Sequence, residues 1–326
     1  MNRIIRSAIL AVVIAPLFLS QMAFGQSGLV LGATGLMEDQ FTRVLQNGYR
    51  DKAKALGIKV LVSNSQSSVE KESESINTFM QAGIKGLIIE PVSPDASAAI
   101  AKQAAAKGII VFACAIPVNS DAIFASSIND NYDLGSSTGK AAVLFLDKKF
   151  GKTKKIKCAI LAYDSQDSVG SGQRIDGFKD MVKAFNIEYV SRQEGFMPDK
   201  AVAVAGDILT ANPDINLIYC ANEGGVIGAV NAVKAAKMQG KVFVFGVDCS
   251  VQICDMLLSS DNICQAVTAQ DPYAQGQYAV QALYDYLVKN KAPAVKHLKV
   301  ANLLVTRMDP SGIKTFAANW KTRSGE

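Results

Sequence analysis

The stretch SGLVLGATGLMED, residues 27–39, runs an apolar strand into a Gly-Ala-Thr-Gly turn followed by two carboxylates, Glu38 and Asp39. A glycine-rich turn between strand and helix is where many folds cradle a phosphate. It needs one glycine for the turn, one where backbone meets the pyrophosphate and one for helix–strand contact. Gly32 and Gly35 supply two, but the third place falls near Glu38. Two acidic side chains at a helix N-terminus repel the anion that the helix dipole would otherwise attract. The second strand, KVLVSNSQ, ends in Ser63 and Asn64, without the acidic residue that receives ribose hydroxyls. A nucleotide-dependent oxidoreductase is therefore disfavoured, and no cofactor is expected.

The other chemistry-bearing residues are equally restrictive. Six cysteines include no CxxC pair, and the single histidine, His297, stands in a basic stretch, APAVKHLKV. Zinc needs a cluster of such ligands and a cysteine nucleophile needs a base, so neither a metal site nor a catalytic residue is expected. Cys114, Cys158 and Cys220 sit inside apolar runs, as small buried hydrophobes do. Cys249, Cys254 and Cys264 flank one helix and the following strand, close enough for a local bridge such as Cys254 to Cys264 in an oxidising compartment.

The elements that must position any site are read from periodicity. Ten strand-like runs occur in order: LVLGA, KVLVS, GLIIE, IIVFACA, AIFASS, KCAILAY, EYVSRQ, LIYCAN, VFVFGVD and CQAVTAQ. Between the first of them lie amphipathic helical stretches that stop at Gly57, Gly83 and Gly108. Continuous apolar strands alternating with helices predict parallel sheets covered on both faces, an α/β fold. The pattern runs twice and breaks at SINDNYDLGSSTG and TAQDPYAQG. It predicts two doubly wound lobes joined by a multi-crossing hinge, with residues 26–129 and 271–300 in the first and 130–270 and 301–326 in the second. Ligands of open parallel sheets bind beyond the carboxyl ends of the strands, so two facing lobes enclose a cleft.

The N-terminus carries Arg3 and Arg6, an apolar run from Ala8 to Leu19 interrupted by Pro16, and the small-residue end Ala23-Phe24-Gly25. This pattern predicts a secretory signal over residues 1–25, because the run falls short of the roughly 20 residues that span a bilayer. No cysteine follows at a lipidation position, so a soluble exported protein is expected. The formal charge of +5 falls by two arginines on cleavage, and nothing points to nucleic acid. The rest of the chain exceeds one comfortable hydrophobic core, in keeping with two lobes.

Taken together and in order, GLMEDQFTRVLQNGYRDKAKALG, GIKGLIIEPVSPDA, INDNYDLGSSTG, GQRIDGFKDMV, IYCANEGGVIGAVNAV, VFGVDCS and AVTAQDPYAQG make the chain resemble the periplasmic solute-binding proteins of the ribose-binding type. The resemblance implies a monomer that closes over a small solute, a sugar or polyol, and hands it to a membrane ABC permease or, alternatively, a chemoreceptor. It also implies a ligand set: Asp39 and Phe41 from the first loop, Arg174 before Asp-Gly-Phe, Asn222 after a strand, Asp248 after VFGV and Gln270 at a lobe crossing. Arginine, carboxylate and amide groups suit hydroxyls, each of which both donates and accepts. Two departures stand out. Ala115 and Ile116 replace a usual polar pair, and Glu90 stands where a neutral residue is common, which leaves open a more acidic cleft and a cationic or less hydroxylated ligand.

Overall fold

A computed structural model describes residues 28–325; the expected signal peptide lies outside them. Along the chain run β1 (Val30–Gly35), α1 (Gln40–Ala55), β2 (Lys59–Asn64), α2 (Val69–Gln81), β3 (Gly86–Ile89), α3 (Ala98–Ala106), β4 (Ile110–Ala115) and β5 (Ile123–Ile128). Then follow α4 (Asn131–Lys149), β6 (Ile156–Ala162), α5 (Asp164–Val182), β7 (Ile187–Glu194), α6 (Pro198–Ala211), β8 (Leu217–Cys220), α7 (Glu223–Ala235), β9 (Phe243–Val247), α8 (Val251–Leu258) and β10 (Cys264–Ala269). The chain closes with α9 (Pro272–Lys289), β11 (His297–Lys299), β12 (Leu303–Thr306) and α10 (Pro310–Ser324). The first three helices end where the sequence places glycines, each in the left-handed conformation that L side chains disfavour: Gly57, Gly83 and Gly108 have φ of 66°, 78° and 78°.

The strands form two six-stranded sheets, ordered β11-β5-β4-β3-β1-β2 and β12-β10-β9-β8-β6-β7. Every pairing is parallel except β10 with β12. The chain passes between the sheets three times, after β5, after β10 and between β11 and β12. Accordingly α9 returns to pack on α1 and β4, while α4 packs on α5 and β10. The two edge strands β11 and β12 were absent from the ten expected. They are three and four residues long and mostly exposed, so no apolar period marks them, and pairing to the edges of β5 and β10 makes them strands.

Each sheet is covered on both faces, as continuous apolar strands require. In the second sheet Ile218, Val244 and Val267 face one cluster, while Tyr219, Phe243 and Phe245 face the other, where Phe178 stacks on Tyr219 at 4.1 Å. In the first sheet Leu31, Ala33, Ile88 and Phe112 pack beneath Tyr49 and Leu283. The Cys254–Cys264 bridge that the spacing allows is not formed. All six cysteines are free and buried, and the Cys254 thiol meets Cys249 instead, Sγ to Sγ 3.6 Å, because the first turn of α8 folds back over the end of β9.

Candidate ligand-binding site

The carboxyl ends of the two parallel sheets face one another, and the residues that follow these strands line a cavity of about 440 Å³. All seven residues expected from the sequence lie on its wall: Asp39 and Glu90 from loops of the first sheet and Phe41 from the first turn of α1, with Arg174 from α5 and Asn222, Asp248 and Gln270 from beyond strands of the second sheet. Ala115 and Ile116, the departures from the usual polar pair, line it as well.

On the second-sheet side, Arg174 is held from three directions. Its Nε donates to Asn131 Oδ1 at 2.9 Å, and its Nη1 donates to the Ala221 carbonyl at 2.8 Å and to Asp248 Oδ2 at 3.3 Å. The guanidinium carbon also lies 4.8 Å from the centre of the Tyr163 ring, a cation–π contact that fixes its plane. Asp248 accepts a second hydrogen bond, on Oδ1 from Gln270 Nε2 at 2.6 Å, so a guanidinium, a carboxylate and an amide form one chain across the cavity floor. Asp248 adopts φ of 73°, a conformation an L residue holds only when its surroundings enforce it. It does not cap the helix after its strand, since Ser250 is the residue before α8. Arg174 does not pair with Asp176 or Asp180 as a surface helix arginine would; Asp180 instead accepts from the Tyr132 hydroxyl.

Asn222 serves two structural purposes at once. Its Oδ1 caps α7 through Gly225 N at 3.3 Å, and its Nδ2 donates to the Phe196 carbonyl at 2.8 Å, drawing the β7–α6 loop against the cavity. One amide hydrogen and one lone pair are left for the cavity.

On the first-sheet side, Asp39 caps α1, accepting from Thr42 N at 2.7 Å. Glu90, only 2% exposed, accepts from Leu36 N at 2.9 Å and interacts with the Thr42 hydroxyl at 3.2 Å. Thr42 therefore ties both carboxyl groups to the start of α1, where the helix dipole favours negative charge. Burial dominates their ionisation all the same. It raises Asp39, with Asp248 adding to the effect, and it pushes Glu90 up to about 8, assisted by the charge of Asp39. Glu90 consequently carries a proton at neutral pH, so the acidity of this wall is held partly in reserve. Phe41 packs against the first core from the cavity edge.

Sequence reasoning did not single out Asn131, Tyr163, Phe196 or Glu223, all of which line the cavity. Asn131 lies within INDNYDLG, a stretch noticed only as a lobe crossing, and Glu223 directly follows Asn222. Burial pushes the Glu223 carboxyl up to about 7, with Asp39 and Asp248 contributing from across the cavity. Phe196, between β7 and α6, carries no polar signal at all. Among the described residues no group of side chains could hold a metal ion, and no helix is long and apolar enough to cross a membrane.

Comparison with known proteins agrees with this architecture. The chain is 25% identical over 288 residues to the ABC transporter periplasmic-binding protein YphF of Escherichia coli (strain K12), covering 81% of this chain and 86% of that protein. It is 27% identical over 243 residues to the ribose import binding protein RbsB of Haemophilus influenzae, covering 74% and 80%. The crystal structure of a galactofuranose binding protein shares the fold, with a TM-score of 0.80 at 20% identity over 90% of this chain and 99% of that one. The family model described as periplasmic binding protein domain matches residues 34–291, and with most of the chain inside that match the protein belongs to the periplasmic binding protein family.

Proposed function

We propose that this protein captures one small sugar or polyol between its two lobes and presents the closed form to a membrane ABC permease from the periplasm, as a monomer and without catalysis. The assigned lobes are residues 26–129 with 271–300, and 130–270 with 301–326. The observation that carries the proposal is the chain Arg174–Asp248–Gln270 on the floor of a cavity of about 440 Å³ walled by loops of both sheets. That size lies within the range of about 300–1,000 Å³ typical of small-molecule sites. The floor offers donors and acceptors suited to hydroxyls, and Phe41, Ile116, Phe196 and Met197 offer apolar surface for the C–H face of a ring. The relative named for ribose import supports the same class of ligand, and the one named for ABC transport supports the permease partner.

Ala115 occupies the end of β4 with φ of 65° and brings no hydroxyl partner. A buried hydroxyl left without one costs roughly 1–3 kcal/mol, so the ligand turns an apolar or less hydroxylated edge toward Ala115 and Ile116. A thermal-shift screen over pentoses, hexoses, polyols and cyclitols tests the reading. At least one raises the melting temperature of the native chain, and Asp248→Asn removes that rise. A screen in which none does so argues against it.

A further inference from the structure

We propose that the ligand is a sugar or polyol bearing one ammonium group, which seats against Asp39 and Glu90 at the start of α1 and faces Glu223 across the cleft, while its hydroxyls meet Arg174 and Asp248. This deepens the binding reading above and rests on it.

The first observation is the charge inventory of the wall. Seven carboxyl side chains line the cavity against one cation, Arg174. Arg174 is committed to Asp248, Asn131 and the Ala221 carbonyl, so it compensates only one carboxylate. Asp167 is committed to capping Gly170 N within α5, and Glu38 is exposed at the cavity rim. Asp199 is exposed in the first turn of α6, so Asp39, Glu90 and Glu223 are left around the cavity with no lining cation but Arg174, and each raises or is raised by a neighbour in the set.

A second, independent observation concerns hydrogen-bond sense. The acceptors this wall turns to the cavity are carboxyl oxygens, since the unpaired amide oxygens of Gln40 and Gln166, although these residues line it, are buried away from it. Asp39 and Glu90 contribute carboxyl oxygens whose hydrogen-bond partners among the described residues are Thr42 and Leu36. A wall with surplus acceptors calls for a donor-rich group, and an ammonium supplies three donors, no acceptor and the missing charge. A neutral hydroxyl supplies one donor and brings no charge to Asp39 or Glu223. Arg174 adds the complementary feature: its side chain is 9% exposed and its Nη2 has no partner among the described residues, which suits an oxygen of the same ligand.

The experiment compares matched pairs by calorimetry on the mature chain: 1-amino-1-deoxyglucitol with glucitol, an amino-deoxy-inositol with myo-inositol, and glucosamine with glucose. In at least one pair the aminated member binds roughly ten-fold or more tightly near pH 7. For 1-amino-1-deoxyglucitol, whose ammonium stays charged throughout, affinity rises with pH toward about 8 and binding near pH 7 releases protons, because the cation draws Glu90, held up to about 8 in the free protein, and Glu223, held up to about 7, into their ionised forms. Tyr163 stays neutral throughout, since burial raises it further above its ordinary range. Asp39→Asn and Glu90→Gln each cut the amine preference, and Glu223→Gln provides a third variant should either fail to fold. Equal or tighter binding of the neutral member in every pair overturns the inference and leaves the sugar reading standing. An amine preference that survives all three variants also overturns it. Absence of binding by all six compounds counts against both readings together.

Discussion

Glu90 is the residue whose chemistry departs furthest from its ordinary state. Burial and the neighbouring Asp39 carry its carboxyl from 4.5 to about 8, so the native state binds a proton that the unfolded chain has released. Stability from this group is complete below about pH 4.5 and is lost as pH rises toward 8, with a slope of up to about 1.4 kcal/mol per pH unit. Urea denaturation of the ligand-free protein across that range is expected to show the decline, and Glu90→Gln is expected to reduce it to the part that Glu223, raised to about 7, contributes, while retaining the hydrogen bond from Leu36 N. Arg174 answers to two roles. Arg174→Ala leaves Asp248 without its cation in a site where the pair is mostly buried, so a cost of about 3–5 kcal/mol to the ligand-free protein is expected along with loss of binding. Asp248→Asn keeps a bond to Gln270 or Arg174 and is the cleaner probe, lowering affinity with a smaller change in ligand-free melting temperature.

The positions of these side chains depend on how closely the helices approach. Where α4 crosses α5, a Cβ on Gly135 would lie 1.8 Å from the Arg174 carbonyl oxygen, and one on Gly177 would lie 2.2 Å from the Tyr132 oxygen. Gly135→Ala must therefore push α5 away and carry Arg174 with it. Destabilisation of about 1–3 kcal/mol is expected from urea unfolding, together with weaker ligand binding, although neither glycine lines the cavity. Element order and strand ends were legible because parallel buried strands read as continuous apolar runs. Asp248 and Asn222 could be placed on the cleft because each follows such a run directly. Phe196 was not legible, since its place comes from the amide of Asn222 gripping its carbonyl, a contact between residues 26 apart in sequence. The geometry of Cys249 and Cys254 was likewise set by a helix turn and not by spacing.

At the scale of the molecule, three crossings connect the sheets, and buried amides knit them together. Asn129 donates to the Val300 carbonyl at 3.0 Å and accepts from Gln275, while Arg323 pairs with Asp271 at 3.1 Å. The crossings at INDNYDLG and AQDPYAQG broke the sequence rhythm and could be read. Of the third, between β11 and β12, only a lobe boundary at residues 300/301 was expected and not the two strands that flank it, because both are short and depend on their partners. A ligand gripped from both sides stabilises the native form, by about 2.7 kcal/mol at a hundred-fold excess over Kd. It is also expected to draw the lobes together, measurable as a smaller radius of gyration in X-ray scattering. The most direct test of cleft capture is calorimetric titration of the mature chain with sugars, polyols and their aminated counterparts, alongside Asp248→Asn. The account predicts saturable binding of at least one compound with one site per chain, lost in the variant. Saturable binding that Asp248→Asn leaves unchanged, or no saturable heat from any compound with folded protein, would contradict it.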